Sequence, residues 1–206
     1  MERIEPFNPL DKQHLGEIVA SALLKEPSSS LPPSDNFLGA GIHAIYYFGT
    51  FPSYLPIQKA NPKGQLGWPI YVGKAVPKGA RKGNVGLDIP VGNVLYGRLR
   101  KHAQSIEQAE NLRLEDFACQ FLVVDDIWIP LAESLLIGRF SPLWNQIIDG
   151  FGNHDPGQRR ASQNRSAWDV LHPGRPWAEK LSDHPLSRDQ LLTKIEEYFA
   201  SKRNAF

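Results

Sequence analysis

Arg98 and His102 stand four residues apart in a stretch whose apolar positions Leu95, Leu99, Ala103 and Ile106 recur at helical spacing. Both therefore project from one side of a helix beginning near Asn93 and flank its apolar stripe. A guanidinium beside an imidazole makes a phosphate clamp, with a solvated cationic face as the alternative. Glu133 is the only charge in residues 130–138 (PLAESLLIG), a short helix begun by Pro130 and stopped by Ser141-Pro142. A carboxylate in that setting must be paired, metal-bound or solvent-facing, because burial alone is costly, or it serves the helix dipole from the first turn. Tyr46 and Tyr71 fall in two strand candidates, residues 42–48 and 68–73, where tyrosines commonly pack the core or a cross-strand neighbour.

The elements that must carry these side chains follow from periodicity and punctuation. Residues 9–25 place Leu15, Ile18, Val19, Ala22 and Leu23 on one helical face after Asn8-Pro9. Residues 26–35 (EPSSSLPPSD) read as a linker. A long Gly/Pro-rich excursion separates the two strand candidates, and a basic, glycine-rich loop (74–92) precedes the Arg98 helix. Residues 117–124 (FACQFLVV) read as a buried strand. Residues 150–186 are irregular. A closing helix starts at Ser187, with Gln190 completing a capping box, and buries Leu191, Leu192, Ile195 and Phe199. The order strand, strand, helix, strand, helix predicts a mixed α/β domain with a small sheet.

Composition bounds the rest. A chain of 206 residues predicts one domain, and the lone Cys119 excludes an internal disulfide or a multi-cysteine zinc site. No apolar run reaches a membrane span and no signal peptide opens the chain, so a soluble cytoplasmic protein is expected. The net charge of +1 hides a segregation: residues 59–101 carry nine basic side chains against Asp88 alone, leaving 14 basic against 21 acidic elsewhere. Eight of the 17 glycines share that segment, so a positive potential is displayed on loop and helix rather than spread over the surface.

Ala44-Ile45-Tyr46, Tyr71-Val72-Gly73, Arg98-x-x-x-His102, Glu133 and Asn145, in that order across residues 44–145, resemble the motif series of the GIY-YIG nuclease superfamily. The first motif reads Ala-Ile-Tyr in place of Gly-Ile-Tyr. Gly41-Ile42-His43 just upstream lacks the tyrosine and is set aside, and Tyr47 would point to the face opposite Tyr46. The two tyrosines are 25 positions apart, so a basic insertion separates them. Such enlargements are similar to those of the family's type II restriction endonucleases, notably the group cutting CCGCGG.

The resemblance implies an α+β fold, a small three-stranded antiparallel sheet flanked by helices, with long insertions. It implies one nuclease domain over 1–206, with a core at about 40–149, a helical N-terminal extension (1–35) and a C-terminal extension (150–206). It implies hydrolysis of double-stranded DNA at a short palindrome by a homodimer in the bacterial cytoplasm, with a cognate methyltransferase in the host that is not a binding partner. Glu133 would hold one Mg²⁺, with Mn²⁺ as substitute, since a single carboxylate suits one such ion and not a two-metal clamp. Arg98 and His102 would act on the phosphate, Tyr46 would orient or deprotonate the water, Tyr71 would complete that network, and Asn145 would steady the site. A free phenol is a weak base at neutral pH, so Tyr46 would need cationic neighbours to lower its pKa. Lys74, Arg81, Lys82, Arg159, Arg160, Arg165 and Arg175 are the candidate DNA contacts. Two alternatives are a DNA-binding or repair protein with a GIY-YIG-like core, and an HNH-type nuclease using His154, Asn164 and His172.

Overall fold

The computed structural model describes residues 11–62, 65–77, 92–155 and 163–202. Arg81, Lys82, Arg159 and Arg160 lie outside the described residues. In chain order the elements are α1 (Lys12–Lys25), β1 (Ser29–Ser30), β2 (Gly41–Tyr47), α2 (Leu55–Ala60), β3 (Tyr71–Ala75), α3 (Val94–Gln108), β4 (Phe117–Val123), α4 (Ile129–Phe140), α5 (Leu143–Gln146), α6 (Ala167–Leu171) and α7 (Arg188–Ser201).

All seven residues of β2 are buried, which a strand achieves only when both of its faces are covered. β2 lies inside an antiparallel sheet of order β1-β4-β2-β3. Successive side chains alternate between faces. Ile42, Ala44 and Tyr46 therefore meet α1 and α4, where Leu23, Ile129 and Leu136 complete one core. Ile45 and Tyr47 join the larger core made with α3, α5, α6 and α7, around Leu99, Trp144, Trp168 and Ile195. Register locks this division: Ile45 pairs with Tyr71, His43 with Gly73, and Tyr46 with Ala118.

Three expectations change. The segment read as a linker contributes β1, whose two residues pair with Ala118 and Cys119 and add a fourth strand to the expected three. Ile18, placed on the inner face of α1, is 64% exposed. The inner face instead runs through Gly16, Ala20 and Leu23, and a Cβ on Gly16 would lie 1.9 Å from Leu135 Cδ1, so α1 and α4 pack backbone-close. The second strand begins at Tyr71 rather than Trp68, because Asn61 captures the preceding loop. Its Oδ1 accepts from the backbone N–H of Gly67 and Trp68 (2.9 and 2.7 Å), and its Nδ2 donates to the Trp68 carbonyl (2.8 Å). The α7 capping box forms as expected between Ser187 and Gln190. α4 ends where predicted, at Ser141 in the left-handed region with φ 43°.

Candidate active site

β3, α3, α4 and α5 converge on a cleft of about 990 Å³ lined by Tyr71, Lys74, Arg98, Lys101, Glu133 and Asn145, among others. Glu133 is the fifth residue of α4, past the first turn, and its side chain is 17% exposed with Oε2 held by Lys74 Nζ at 2.5 Å. The carboxylate is thus paired and faces the cleft. Lys74, a candidate DNA contact, is paired with this carboxylate. Arg98 projects from α3 into the same cleft, where Nη1 meets His154 Nε2 at 2.9 Å and the Gly152 carbonyl at 3.5 Å.

Asn145 plays a backbone part. β3 is the edge strand, so the outward N–H and C=O of Val72 have no strand to pair with. The Asn145 amide satisfies both, accepting from Val72 N–H and donating to Val72 O at 2.8 Å each. Asn145→Ala should leave two part-buried groups unpaired beside Tyr71, costing about 2–3 kcal/mol of stability. Loosened placement of Tyr71 should also lower cleavage by on the order of tenfold. Denaturant melts and cleavage assays on one preparation would read both, and unchanged values in each would remove this role.

His102 is not at the cleft surface. It is 1% exposed, stacks on Phe151 with centroids 4.6 Å apart, and meets Tyr71 edge-on at 5.1 Å. Burial, then the neighbouring His43 and Arg98, holds its pKa well below the ordinary histidine value, so it is neutral. Tyr71 is pushed up to about 12, chiefly by burial.

The placement of Tyr46 corrects the sequence reading. Tyr46 points to the face of α1 and α4, away from the face that carries Tyr71 and His102. No cation lowers its pKa, and burial raises it. Its hydroxyl donates to Gln120 Oε1 at 2.7 Å, while Gln120 Nε2 donates to the carbonyls of Leu24 and Glu26 at 3.3 and 2.5 Å. The pair fastens the C-terminal end of α1 to the sheet. Tyr46→Phe should accordingly cost about 1–2 kcal/mol while leaving the cleavage rate within a few-fold of wild type. A hundredfold loss of rate in a folded variant would restore Tyr46 to the chemistry.

The residue on the correct face is His43, from the Gly41-Ile42-His43 triplet that was set aside. It pairs across the sheet with Gly73, and its ring lies 6.0 Å from Tyr71 and 5.1 Å from His102. Strand alternation was the available signal: His43 shares parity with Ile45, the partner of Tyr71, and Tyr46 does not. Lys101, Asp149 and residues 150–153 also line the cleft without having been singled out.

Arg175, expected on DNA, is 1% exposed. Its Nε donates to Asp169 Oδ1 at 2.6 Å, and its guanidinium reaches the carbonyls of Gly150 (3.0 Å), Phe151 (3.2 Å) and Asn153 (3.3 Å). Trp168 and Trp177 flank it at 4.4 and 4.7 Å. This clamp shapes the cleft wall from the C-terminal segment. Arg165 is half-buried and pairs with Asp183 at 3.3 Å. His154, Asn164 and His172 form no HNH site. His172 is enclosed and bonded to Tyr54 (2.6 Å) and Asn111 (2.8 Å), Asn164 makes a backbone bridge to Ser182, and His154 turns to Arg98.

Among the described residues no cluster of three or more His, Cys, Asp or Glu side chains could hold a metal ion. Glu133, on a polar cleft that Asp149 also lines, fits magnesium, which takes few protein ligands and retains its waters.

A tyrosine on an edge strand, faced by an arginine from one helix and a carboxylate from another, defines a nuclease domain of GIY-YIG type. The family model described as the Eco29kI GIY-YIG domain matches residues 35–199, and the chain belongs to that restriction endonuclease family, whose substrate is DNA. Eco29kI itself cuts CCGCGG. The match runs through α6 and into α7, so it takes in the segment that builds the Arg175 clamp. No curated protein matches the chain. No helix among the described residues is long and apolar enough to cross a membrane.

Proposed function

We propose that the protein is a type II enzyme that hydrolyses both strands of a short palindromic DNA site, with CCGCGG as the candidate. A twofold homodimer would present one cleft to each half-site. It would act in the bacterial cytoplasm, where a methyltransferase of matching specificity protects the host DNA. The observation that carries this reading is the cleft in which Glu133, Arg98 and Tyr71 face one another among the cations Lys74 and Lys101.

Glu133 would hold a single Mg²⁺, or Mn²⁺ in its place, and the ion when bound supplies Lewis-acid stabilisation of the phosphate charge. Lys74 would leave the Glu133 oxygen and become free to pair with the DNA backbone. Arg98 would exchange His154 and Gly152 for the non-bridging phosphate oxygens, a charge-assisted contact stronger than either. Tyr71 would orient the attacking water with its hydroxyl, and Asn145 would hold the strand that carries it. Incubation with plasmid DNA and Mg²⁺ tests the reading. Discrete fragments ending at one palindrome are expected. Scattered nicks would replace it with a repair-type nuclease, and retarded but intact DNA with a binding protein.

A further inference from the structure

Residues 149–153 form one wall of the cleft. Arg175 holds that wall through the carbonyls of Gly150, Phe151 and Asn153, and His154 is the residue that follows. The imidazole is thereby kept at the rim, exposed to solvent, with Nε2 2.9 Å from Arg98 Nη1. A guanidinium has donors only, so the nitrogen that meets it must accept. His154 is therefore neutral in this contact, with its proton on Nδ1.

The charged groups about the ring are Arg98 and Lys101 on α3 and Arg175 in the C-terminal segment, with Asp155 next in the chain. Partial loss of solvent, then Arg98 and Lys101, hold the His154 pKa below the ordinary histidine value; the Asn153 carbonyl opposes the shift and Arg175 adds to it. A bound phosphate reverses that balance. An oxygen about 2.8 Å from Arg98 Nη1 brings a negative charge within about 6 Å of the imidazole, where an opposite charge favours the protonated ring. The same phosphate also offsets Arg98 and Lys101, the two cations that oppose protonation.

We propose that His154 is a phosphate ligand of the site: neutral, it holds the place of a phosphate oxygen on Arg98, and protonated, it binds the DNA phosphate that displaces it. The inference rests on the nuclease reading above. The exchange takes one proton from solvent as DNA enters and returns it as DNA leaves, and no covalent bond changes. Reciprocity fixes the sign: if bound phosphate raises the His154 pKa, protonation of His154 must tighten DNA binding by the same factor. Affinity is then greatest below the pKa of the free protein and falls as pH rises through the pKa of the complex. The Arg175 clamp acquires a purpose in this scheme, since the ring must stay beside Arg98 after the phosphate has taken its acceptor position.

The test measures affinity for a duplex carrying the palindrome at which plasmid is cut, CCGCGG being the candidate, in EDTA at fixed ionic strength. Wild type is expected to bind about tenfold more tightly at about pH 5.5 than at about pH 8. His154→Gln keeps an acceptor for Arg98 and a donor for phosphate but cannot take a charge, so its affinity should be nearly the same at both. His14 and His184 remain in the variant, and the difference between the two proteins therefore belongs to His154. Calorimetry near about pH 7 in two buffers of different ionisation enthalpy should show wild type taking up on the order of half a proton per cleft, and the variant almost none. Wild-type affinity that is flat with pH, or a dependence that His154→Gln retains, overturns the inference and leaves the nuclease reading standing. Tighter binding by His154→Gln at both pH values, beside a flat wild type, would make His154 a placeholder only and overturns it likewise. Should the variant not fold, the proton count on wild type decides: uptake supports the phosphate ligand and its absence overturns it. Wild-type protein that neither cuts plasmid nor binds the duplex overturns the nuclease reading and the inference together.

Discussion

Glu133→Gln is expected to stop DNA cleavage, by about a thousandfold or more, while DNA is still retained. The substitution keeps shape and hydrogen-bonding capacity but removes the formal charge that selects a divalent cation. It also removes the anion nearest to where a phosphate would lie and frees Lys74, which now holds Glu133 Oε2 at 2.5 Å. Metal-free affinity for DNA should therefore stay equal or rise, with a steeper dependence on salt as one more cation meets the backbone. Gel retardation at fixed ionic strength measures the second effect and plasmid cleavage the first. Loss of both together would mean that Glu133 supports the fold rather than the chemistry.

The other large effect is structural. Arg175→Met strands the Asp169 carboxylate, which is 2% exposed in its side chain and would keep only Ser166 Oγ at 2.6 Å. Three carbonyls of residues 150–153 lose the guanidinium at the same time, the Gly150 carbonyl keeping the Asn153 N–H. Breaking a buried pair from one side costs about 3–5 kcal/mol, equivalent to a melting point lower by roughly 10 °C in a protein of this size. The double variant Arg175→Met/Asp169→Asn should recover a substantial part of that loss, because the orphaned charge is gone. Additive losses in calorimetry would show that the ion pair is not the source. Phe151 belongs to the clamped segment and stacks on His102, so the single variant should cleave more slowly even well below its melting point.

What the sequence made legible divides by the range of the interactions involved. α3, α4 and α7 were readable because each spans three or more turns, and the last two also carry local signals: Ser141-Pro142 after α4, and Ser187 with Gln190 at α7. Arg98 and Glu133 came with those elements and meet at the cleft with Asn145, which only the motif order supplied. α2, α5 and α6 are six, four and five residues long, too short to display a period. β1 exists only because β4, nearly ninety residues away, pairs with it. The exchange of Tyr46 for His43 has the same origin. Every position of β2 is buried, so hydrophobicity carries no alternation to tell one face from the other, and only the pairing of Ile45 with Tyr71 assigns them. Arg175 was read as a surface arginine because nothing local announces that Asp169 and two tryptophans will enclose it.

The bond between Asn145 and Val72 bears on how two copies could meet. An edge strand ordinarily offers its main chain to any passing strand. At Val72 that offer is already taken by a side chain of the same molecule, in the geometry a neighbouring strand would use. The sheet therefore cannot run on through this edge into a second subunit. A twofold partner would have to dock by side-chain complementarity, which leaves the cleft beside β3 clear for a duplex.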